Sequence, residues 1–456
     1  MMTRKDSYQE DMFPITLEEL VEENHFLRRL ASAVDFSFVY DELEPHYCPN
    51  NGRPSTDPVI IVKMLLIAFL YGIASERRLE QEVKYNVAYR WFLGIPFGEN
   101  VPDHSTVSQL RRRKFNKADL FKKLFCQILA DCINAGLVSG KLLITDSTHV
   151  KASASEKSKI RAEIEQESDK FFERLDEYES KERERLGLPE TKRKPRKAEK
   201  IEVTKSATDS DAGWLNRTRK PGGFHFLSHQ TLDSENGIIV DVEVTSGNAQ
   251  DCTPYIDQID RTVETLEEYN IEVEAVAADS AYDTGLIHQE LENRRITPYM
   301  PQKNYGEHSK TEYKKGDFIY DIQADEFACP YGKALKLHGI IRDKYGVYRK
   351  YQANKKDCAQ CPNREKCLSK SQKVRQIQLS IFQETVNKHH ETDGSNDQKD
   401  ALNKRQVWCE GTFAVQKNQH NLRQVLRRGL KAATDHCLLS ACVVNLKRLI
   451  KHQNTA

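Results

Sequence analysis

The sequence lacks a long apolar segment. Its most apolar early run, VIIVKMLLIAFLYGIA at residues 59–74, contains Lys63 and is too short to span a bilayer comfortably. The first residues, MMTRKDSYQEDMF, have no apolar core of the kind that a secretory signal carries. We therefore interpret residues 59–74 as a buried helix, and we expect a cytoplasmic protein that does not enter a membrane.

Cysteine is too scarce and too scattered for a disulfide scaffold: eleven cysteines lie in 456 residues. Most stand singly in apolar surroundings, as core residues do. Four are grouped, and their CxxC pair, a third cysteine six residues later and a distant fourth fit a closed structural zinc site. The alternative is that these four side chains belong to a small core. The grouped residues are Cys329, Cys358, Cys361 and Cys367.

A net charge is nearly absent as well, since 69 basic and 68 acidic residues leave a formal charge of +1. The charges are nevertheless uneven along the chain, and local basic patches matter more than net charge for binding a polyanion. Solvated helix faces are the alternative for both basic patches that we identify. The first patch contains Arg111, Arg112, Arg113 and Lys114, and the second contains Arg423, Arg427, Arg428 and Lys431.

Residues 1–138 are predicted to form a helical domain. Apolar residues recur at helical spacing after Pro14, and two further helices are predicted after the break GRPSTDP. The segment VPDHSTVSQLRRRK predicts a turn and then a helix, capped by Ser105, that ends in arginines. This order is typical of helix-turn-helix DNA-binding domains. A plain helical bundle with a solvated basic end is the alternative.

Residues 139–303 are predicted to alternate between strands and helices. A buried strand ends at Asp146, and a hairpin follows around the turn DSENG. A helix comes next, and then a second buried strand that ends at Asp279. Acidic residues at the ends of neighbouring strands can converge on one site. We therefore expect an α/β protein with a ribonuclease-H-like mixed sheet.

Four further segments are predicted around this sheet. Residues 156–200 are densely charged, and their apolar positions favour a protruding helix or helical hairpin, a candidate dimer contact; a solvated helix is the alternative. A flexible basic linker is expected at 187–210. Residues 304–400 form an inserted lobe with the grouped cysteines, and 401–456 a helical part of the catalytic domain. The apolar positions in the charged segment are Ile160, Ile164, Phe171, Leu175 and Tyr178.

Asp146 and Asp279 are candidates for metal-dependent chemistry on phosphodiesters. A buried aspartate is costly unless it is paired or bound to a metal, although each could instead cap the turn that follows it. Two Mg²⁺ ions about 3.5–4 Å apart can activate a nucleophile and stabilise a leaving oxygen, and Mg²⁺ prefers carboxylate ligands. Glu410 adds a third carboxylate on a helical pattern, where it shares a face with Lys417. A surface helix with salt bridges is the alternative there.

Taken together, these motifs resemble the DDE transposases of bacterial insertion sequences, and most of all the eleven-eighty-two family. The resemblance covers almost the whole chain. Residues 52–113 resemble the amino-terminal transposase domain, LLITDSTHVKA carries the first Asp, and AVAADSAYDT carries the second. RQVWCEGTFAVQK resembles the Glu region, with its Arg-x4-Glu-x6-Lys pattern.

The resemblance implies roles for individual residues. Asp146, Asp279 and Glu410 would bind two Mg²⁺ or Mn²⁺ ions, while Arg405 and Lys417 would contact phosphate near the cleavage point. Tyr282, Thr148 and His149 would lie near the site. The partners implied are double-stranded DNA, as terminal inverted repeats and target, and a second copy of the chain in a homodimer. The protein would then be associated with the bacterial nucleoid.

Two other functions remain open from the sequence. The first is a different metal nuclease of the same fold, acting in DNA repair or recombination. The second is a DNA-binding derivative that has lost catalysis. All three acidic residues are present, which disfavours the second.

Overall fold

The computed structural model describes residues 16–48, 55–165, 170–190, 200–216, 222–303, 311–343 and 346–453. The chain divides into two compact units. The first comprises residues 1–137, 412–427 and 431–456, and the second comprises 138–411 and 428–430. None of the helices in these described ranges combines the length and the apolar character that crossing a membrane requires.

The first unit is helical, as the sequence predicts. Its helices begin at polar caps: Thr16 forms a capping box with Glu19, and Asp57 accepts a hydrogen bond from the backbone N–H of Val59. The apolar run at 59–74 forms a helix that is buried along most of its length, as expected. The helices before the second unit are α1 (Leu17–Leu20), α2 (Phe26–Ala33), α3 (Phe38–Leu43), α4 (Pro58–Leu70), α5 (Glu76–Tyr85), α6 (Val87–Leu93), α7 (His104–Leu110), α8 (Asn116–Ala118) and α9 (Leu120–Asn134).

The start of α7 differs from the prediction. Asp103, and not Ser105, is the cap: its Oδ1 accepts hydrogen bonds from Ser105 N at 2.7 Å and from Thr106 N at 2.9 Å. A carboxylate two residues upstream reaches two of the free N–H groups of the first turn, which a hydroxyl inside that turn cannot do.

Arg111 does not lie on an exposed basic surface. It opens a π-helical turn after α7, its side chain is buried, and its guanidinium forms an ion pair with Glu76. Burial, with repulsion from Arg427, lowers the pKa of Arg111 to about 9. Arg112 and Arg113 are exposed. The predicted patch is therefore corrected: its first arginine is a structural residue of the helical unit.

The second unit is built on a mixed sheet with the strand order β4-β5-β1-β7-β8. Strand β6 pairs with β5 on the edge that faces away from β1, next to β4. Strand β1 runs antiparallel to β5 and parallel to β7, and β7 runs parallel to β8. This is the ribonuclease-H-like arrangement that the sequence predicted. The strands are β1 (Leu143–Lys151), β2 (Lys159–Glu165), β3 (Lys200–Ser206), β4 (Gly213–Leu215), β5 (Gly223–Asp233), β6 (Ile239–Ser246), β7 (Ala275–Ala277), β8 (Thr297–Tyr299), β9 (Ile319–Asp321), β10 (Glu326–Ala328), β11 (Ala334–Arg342), β12 (Val347–Ala353) and β13 (Gln376–Ser380).

Helices and short turns complete this unit. A second sheet, with the order β13-β12-β11-β10-β9, forms the inserted lobe around a small core that includes Phe327, Leu335 and Tyr351. The helices are α10 (Lys170–Arg185), α11 (Tyr255–Glu267), α12 (Gly285–Asn293), α13 (Lys355–Ala359), α14 (Arg364–Cys367), α15 (Gln383–His390) and α16 (Asn396–Arg405). Further turns are 3-10 at Glu44–His46, Glu156–Ser158 and Lys315–Asp317, and π-helical at Arg111–Phe115 and Gln406–Glu410.

The charged segment differs from its prediction. Residues 159–165 form strand β2, paired with β3, so Ile160 and Ile164 do not share a helical face with Phe171. Helix α10 begins only at Lys170 and does not protrude: Arg174 forms ion pairs with Asp257, Asp260 and Glu290 of the neighbouring helices. The predicted linker at 187–210 contains β3, while residues 191–199 lie outside the described ranges. The charges of α10 are therefore spent largely within its own unit.

The carboxyl-terminal helices are α17 (Gly411–Gln419) and α18 (Leu430–Gln453). The helical part predicted for residues 401–456 is interrupted between these two helices, where Asn421 has a φ of 58° and its side-chain amide donates to Ala68 O at 3.0 Å. Helix α18 is buried on most sides, which requires surrounding helices, and Cys132 Sγ lies 4.0 Å from Asn445 O. Residues 412–427 and 431–456 therefore cluster with the amino-terminal helices, whereas we expected them in the catalytic domain.

Replacing Arg111 by alanine should lower the free energy of unfolding by about 1–3 kcal/mol, because a buried side chain and its ion pair are lost. The matched change Arg112→Ala, at an exposed neighbour, should stay within about 0.5 kcal/mol of the wild type. Urea unfolding followed by circular dichroism measures both values. Equal losses in the two variants would contradict the buried placement of Arg111.

Candidate active site

The pairing of β1 with β7 brings the first two predicted carboxylates together. Leu143 lies opposite Val276 and Ile144 opposite Ala277. Continued by two residues, this register would put Asp146 level with Asp279, and the charge of Asp279 does act on Asp146. Strand β1 does not end at Asp146, as predicted, but continues to Lys151 along β5. Asp146 therefore lies just past the point where the parallel pairing ends and the two strands separate.

Asp146 is partly buried, and one side of it is neutralised. Its Oδ1 accepts a hydrogen bond from Ser147 N at 2.7 Å, and its Oδ2 pairs with Arg405 Nη1 at 2.8 Å. Burial raises the pKa of Asp146, Arg405 opposes that effect, and the nearby carboxylates of Asp279 and Asp251 add to it. One arginine thus compensates incompletely for a group of carboxylates, and a cation would stabilise the ionised group further.

The loop after β7 holds the second carboxylate. Asp279 Oδ1 accepts a hydrogen bond from Ala281 N at 2.8 Å, and Tyr282 N donates to Asp279 O at 3.1 Å. Tyr282 is buried, and burial and the surrounding aspartates raise the pKa of its phenol well above the ordinary value. Within the described ranges, Tyr282 Oη has no hydrogen-bond partner. A buried polar atom without a partner beside several carboxylates fits a site that takes up a hydrated ion.

A further carboxylate, Asp251, was missed from the sequence. Ser147 Oγ donates to Asp251 Oδ1 at 2.6 Å, and the Asp251 charge acts on Asp146 and on Tyr282. Asp251 lies in the polar turn after β6, where an aspartate ordinarily signals only a loop. No periodicity or motif distinguishes it, because its position depends on β5 lying between β6 and β1.

The other residues that we expected near the site lie on β1. Side chains alternate along a strand, so Thr148 faces the same side as Asp146, and His149 faces the other. His149 Nε2 lies 3.3 Å from Gly247 O, in the loop that leads to Asp251.

Glu410 ends a π-helical turn, Gln406–Glu410, that packs against β1. A π-helical turn is closed by hydrogen bonds between residues five apart, so such residues lie nearly above one another. Arg405 and Glu410 are five apart, and Arg405 contacts Asp146. The turn thus directs Glu410 toward the side of the helix that carries Arg405. Glu410 is exposed.

Trp408 anchors the same turn to the sheet. At Gly237, in the turn between β5 and β6, φ is 71°, and an added Cβ would lie 2.4 Å from the Trp408 ring. Only glycine permits both the backbone conformation and this close approach. Val415, seven residues after Trp408, is exposed.

The predicted phosphate-binding residues have different environments. Arg405 reaches Asp146, whereas Lys417 is half-buried and belongs to the first unit. Arg427 pairs with the buried Asp435 at 3.3 Å, and burial lowers the pKa of this arginine. Its guanidinium therefore has a structural role like that of Arg111. Arg428 is exposed, with its Nε 3.3 Å from Ser153 O.

The grouped cysteines of the inserted lobe lie around one cavity but do not form a compact ligand set. Three of them pack against the small core of the lobe, as the alternative interpretation held. Among the described residues, Asp283, His288 and His390 do bring metal-ligating atoms within 4.8 Å of one another, and the cysteines do not. Zinc on the cysteines stays a prediction. The residues concerned are Cys329, Cys358, Cys361 and Cys367.

Comparisons with known proteins bear on both units. Residues 15–113 match the model of a family described as "Transposase domain (DUF772)". Residues 328–450 match the model described as "Transposase DDE domain", and this range includes Arg405 and Glu410. The search of curated proteins found no match.

Solved transposase structures are also similar to this chain. One is a piggyBac transposase synaptic complex with hairpin DNA, with 8% identity and a TM-score of 0.36, over 94% of this chain and 75% of that one. Another is the Mos1 transposase paired-end complex with the left transposon end, with 11% identity and a TM-score of 0.18, over 55% and 61% of the two chains. The chain thus carries a transposase domain and a transposase DDE domain, and the DDE domain implies DNA transposase activity.

Proposed function

We propose that this transposase binds the terminal inverted repeats of its insertion sequence and catalyses metal-dependent cleavage and strand transfer. Asp146, Asp279 and Glu410 are the proposed catalytic carboxylates. The observation that carries the proposal is the register of β1 and β7, which places Asp146 beside Asp279, with Arg405 on Asp146. The resemblance to the eleven-eighty-two family supports the same assignment.

The donor set suits Mg²⁺ or Mn²⁺. Carboxylate oxygens are the ligands that these hard ions prefer, and the raised pKa of Asp146 marks a charge that the protein alone compensates incompletely. Asp146 and Asp279 would hold two ions together with Glu410, and the ions would supply activation of the attacking oxygen and stabilisation of the leaving oxygen. Asp251 would add negative charge and orient Ser147.

Arg405 is proposed to orient the scissile phosphate. Its guanidinium already lies on the carboxylate that the phosphate must approach, and arginine presents several N–H donors that match phosphate oxygens. A substrate phosphate would therefore compete with Asp146 for the Arg405 guanidinium. In this proposal, Arg405 balances the charge of Asp146 before DNA binds, and it contacts the phosphate backbone of the DNA afterwards.

Binding to DNA is assigned mainly to exposed cations. Arg112, Arg113 and Arg428 are exposed, whereas Arg111 and Arg427 are engaged within the protein. Contacts to phosphates position a protein on DNA without reading its sequence, and they weaken as salt rises. A homodimer that joins two transposon ends remains part of the proposal, but α10 is not its contact, because its charges pair within its own unit.

The test is cleavage of a labelled duplex that carries the terminal repeat flanking the gene, with Mg²⁺. Asp146→Asn, Asp279→Asn and Glu410→Gln should each lower the cleavage rate by about 100- to 1,000-fold, because each removes a ligand of the metal ions that stabilise the transition state. Binding of the duplex, measured by mobility shift, should persist in all three variants.

The matched control for these variants is Asp400→Asn, which neutralises an exposed carboxylate on α16 and should cut at the wild-type rate. Variants that cut like the wild type would contradict the assigned site. Cleavage without joining to a target duplex would favour a repair or recombination nuclease. Binding without cleavage in either Mg²⁺ or Mn²⁺ would favour a derivative that has lost catalysis.

The carboxylate group also predicts how metal affects stability. In EDTA, Asp279→Asn should raise the melting temperature by about 1–2 °C, because it removes a charge that repels Asp146. Mn²⁺ at about 100 times its Kd should raise the wild-type value by about 5 °C and leave the variant nearly unchanged. Calorimetry of the full chain measures both shifts. An equal rise with Mn²⁺ in the two proteins would place the ion elsewhere.

A further inference from the structure

Three histidines and three carboxylates form a continuous series of side-chain contacts that includes Asp283, four residues after Asp279. Asp283 Oδ1 lies 2.8 Å from His288 Nε2 and 3.0 Å from His390 Nε2. From these two contacts, the series continues outward from His288 and from His390. The remaining contacts are His288 Nδ1 to His389 Nδ1 at 2.9 Å, His389 Nε2 to Glu292 Oε2 at 2.8 Å, and His390 Nδ1 to Asp393 Oδ2 at 2.8 Å.

If all three histidines are neutral, they carry too few protons to make every contact of this series a hydrogen bond. Each of the five contacts needs one N–H, since ionised carboxylates only accept. Three neutral imidazole rings carry three N–H groups in total. Two extra protons, and therefore two imidazolium charges, would be needed to satisfy every contact.

The extra charges would be costly where the rings lie. The His288 side chain is 1% exposed, and those of His389 and His390 are 8% and 11% exposed. A divalent cation removes the difficulty, because it supplies two positive charges and replaces the two contacts at Asp283 Oδ1.

We propose that Asp283, His288 and His390 bind one Zn²⁺ ion, at a site separate from the catalytic carboxylates. Zinc takes imidazole nitrogen and carboxylate oxygen at about 2.0–2.2 Å in tetrahedral geometry, which separates its ligands by about 3.3 Å. The two contacts to Asp283, at 2.8 and 3.0 Å, open to that spacing with shifts of a few tenths of an ångström. A water molecule completes the fourth position.

The outer partners of the three ligands match a zinc site. Ligating histidines ordinarily donate their second N–H to a carboxylate or another acceptor. His390 donates in this way to Asp393, and His288 donates to His389, which in turn donates to Glu292. Asp283 Oδ2 accepts the backbone N–H of Lys303 at 2.6 Å. All three rings are then neutral, and each contact outside the metal has one proton.

The position of the site indicates what zinc does there. Asp283 and His288 lie at the end of the Asp279 loop and on α12, while His390 ends α15, shortly before α16 and the turn with Glu410. The ion therefore ties together the two segments that carry the second and third predicted carboxylates. Its role is structural, because it joins these two segments and no catalytic carboxylate belongs to the set.

The test is the zinc content of the full-length protein, purified without chelators and measured by mass spectrometry. His390→Gln should contain one Zn²⁺ fewer per chain than the wild type, whether or not the cysteines bind a second ion. The control His338→Gln, at an exposed histidine of the inserted lobe, should keep the wild-type content. Asp279→Asn should also keep it, which separates this site from the catalytic one. Circular dichroism verifies that each variant is folded.

Cobalt substitution identifies the ligands independently of total content. The difference between the spectra of wild type and His390→Gln should show ligand-field bands without the thiolate-to-cobalt charge-transfer band that cysteine ligands produce. Identical zinc contents and identical cobalt spectra would overturn the proposal. The contacts among these histidines and carboxylates would then be made by protons and not by a metal ion. A charge-transfer band in the difference spectrum would also overturn the proposal, because it would assign the lost ion to cysteines.

A graded variant tests the outer partners. Asp393→Asn leaves all three ligands in place but weakens the hydrogen bond that orients His390, so the Zn²⁺ affinity should fall by about 10- to 100-fold. Competition with a chromophoric chelator measures the affinity. An unchanged affinity would contradict the assignment of His390 as a ligand held by Asp393.

Discussion

The parallel pairing of β1 with β7 is the constraint on which the candidate active site depends. It brings Asp146, on β1, close to Asp279, in the loop just after β7. Two carboxylates so close repel each other, and partial burial increases the cost of their charges. The fold tolerates this because Arg405 pairs with Asp146 and because backbone N–H groups of the following residues donate to both side chains. The remaining charge is the physical basis for metal binding.

Glu410 depends on a different device. It lies more than a hundred residues after Asp279, beyond the inserted lobe, and it returns to the sheet on α16 and the π-helical turn. The turn rotates Glu410 toward the face of Arg405, while Trp408 packs on the glycine turn between β5 and β6. The inserted lobe can thus have its own sheet and core without changing the geometry of the third carboxylate.

The errors of prediction share a physical cause. Arg111 was predicted to contact DNA or face solvent, and the charged segment of α10 to form a dimer contact or face solvent, because long charged side chains are usually exposed. Arg111 instead pairs with Glu76, and Arg174 with three acids of neighbouring helices. Charges that pair over long stretches of sequence leave no periodic signal, so their burial cannot be inferred from one segment. The same limit hid Asp251 and the Asp283–His288–His390 cluster, whose members come from separate elements.

The sequence by itself determined the helical amino-terminal region and the order of strand, hairpin, helix and strand between Asp146 and Asp279, because alternating and helical apolar patterns are local properties. It also determined the three predicted carboxylates, since two aspartates follow apolar strands and the motif around Glu410 resembles a known family. Tertiary structure alone decided that β1 extends past Asp146, that Arg405 pairs with it, and that α18 clusters with the amino-terminal helices. Each of these depends on which distant surfaces meet, and side-chain patterns along a single chain do not encode that directly.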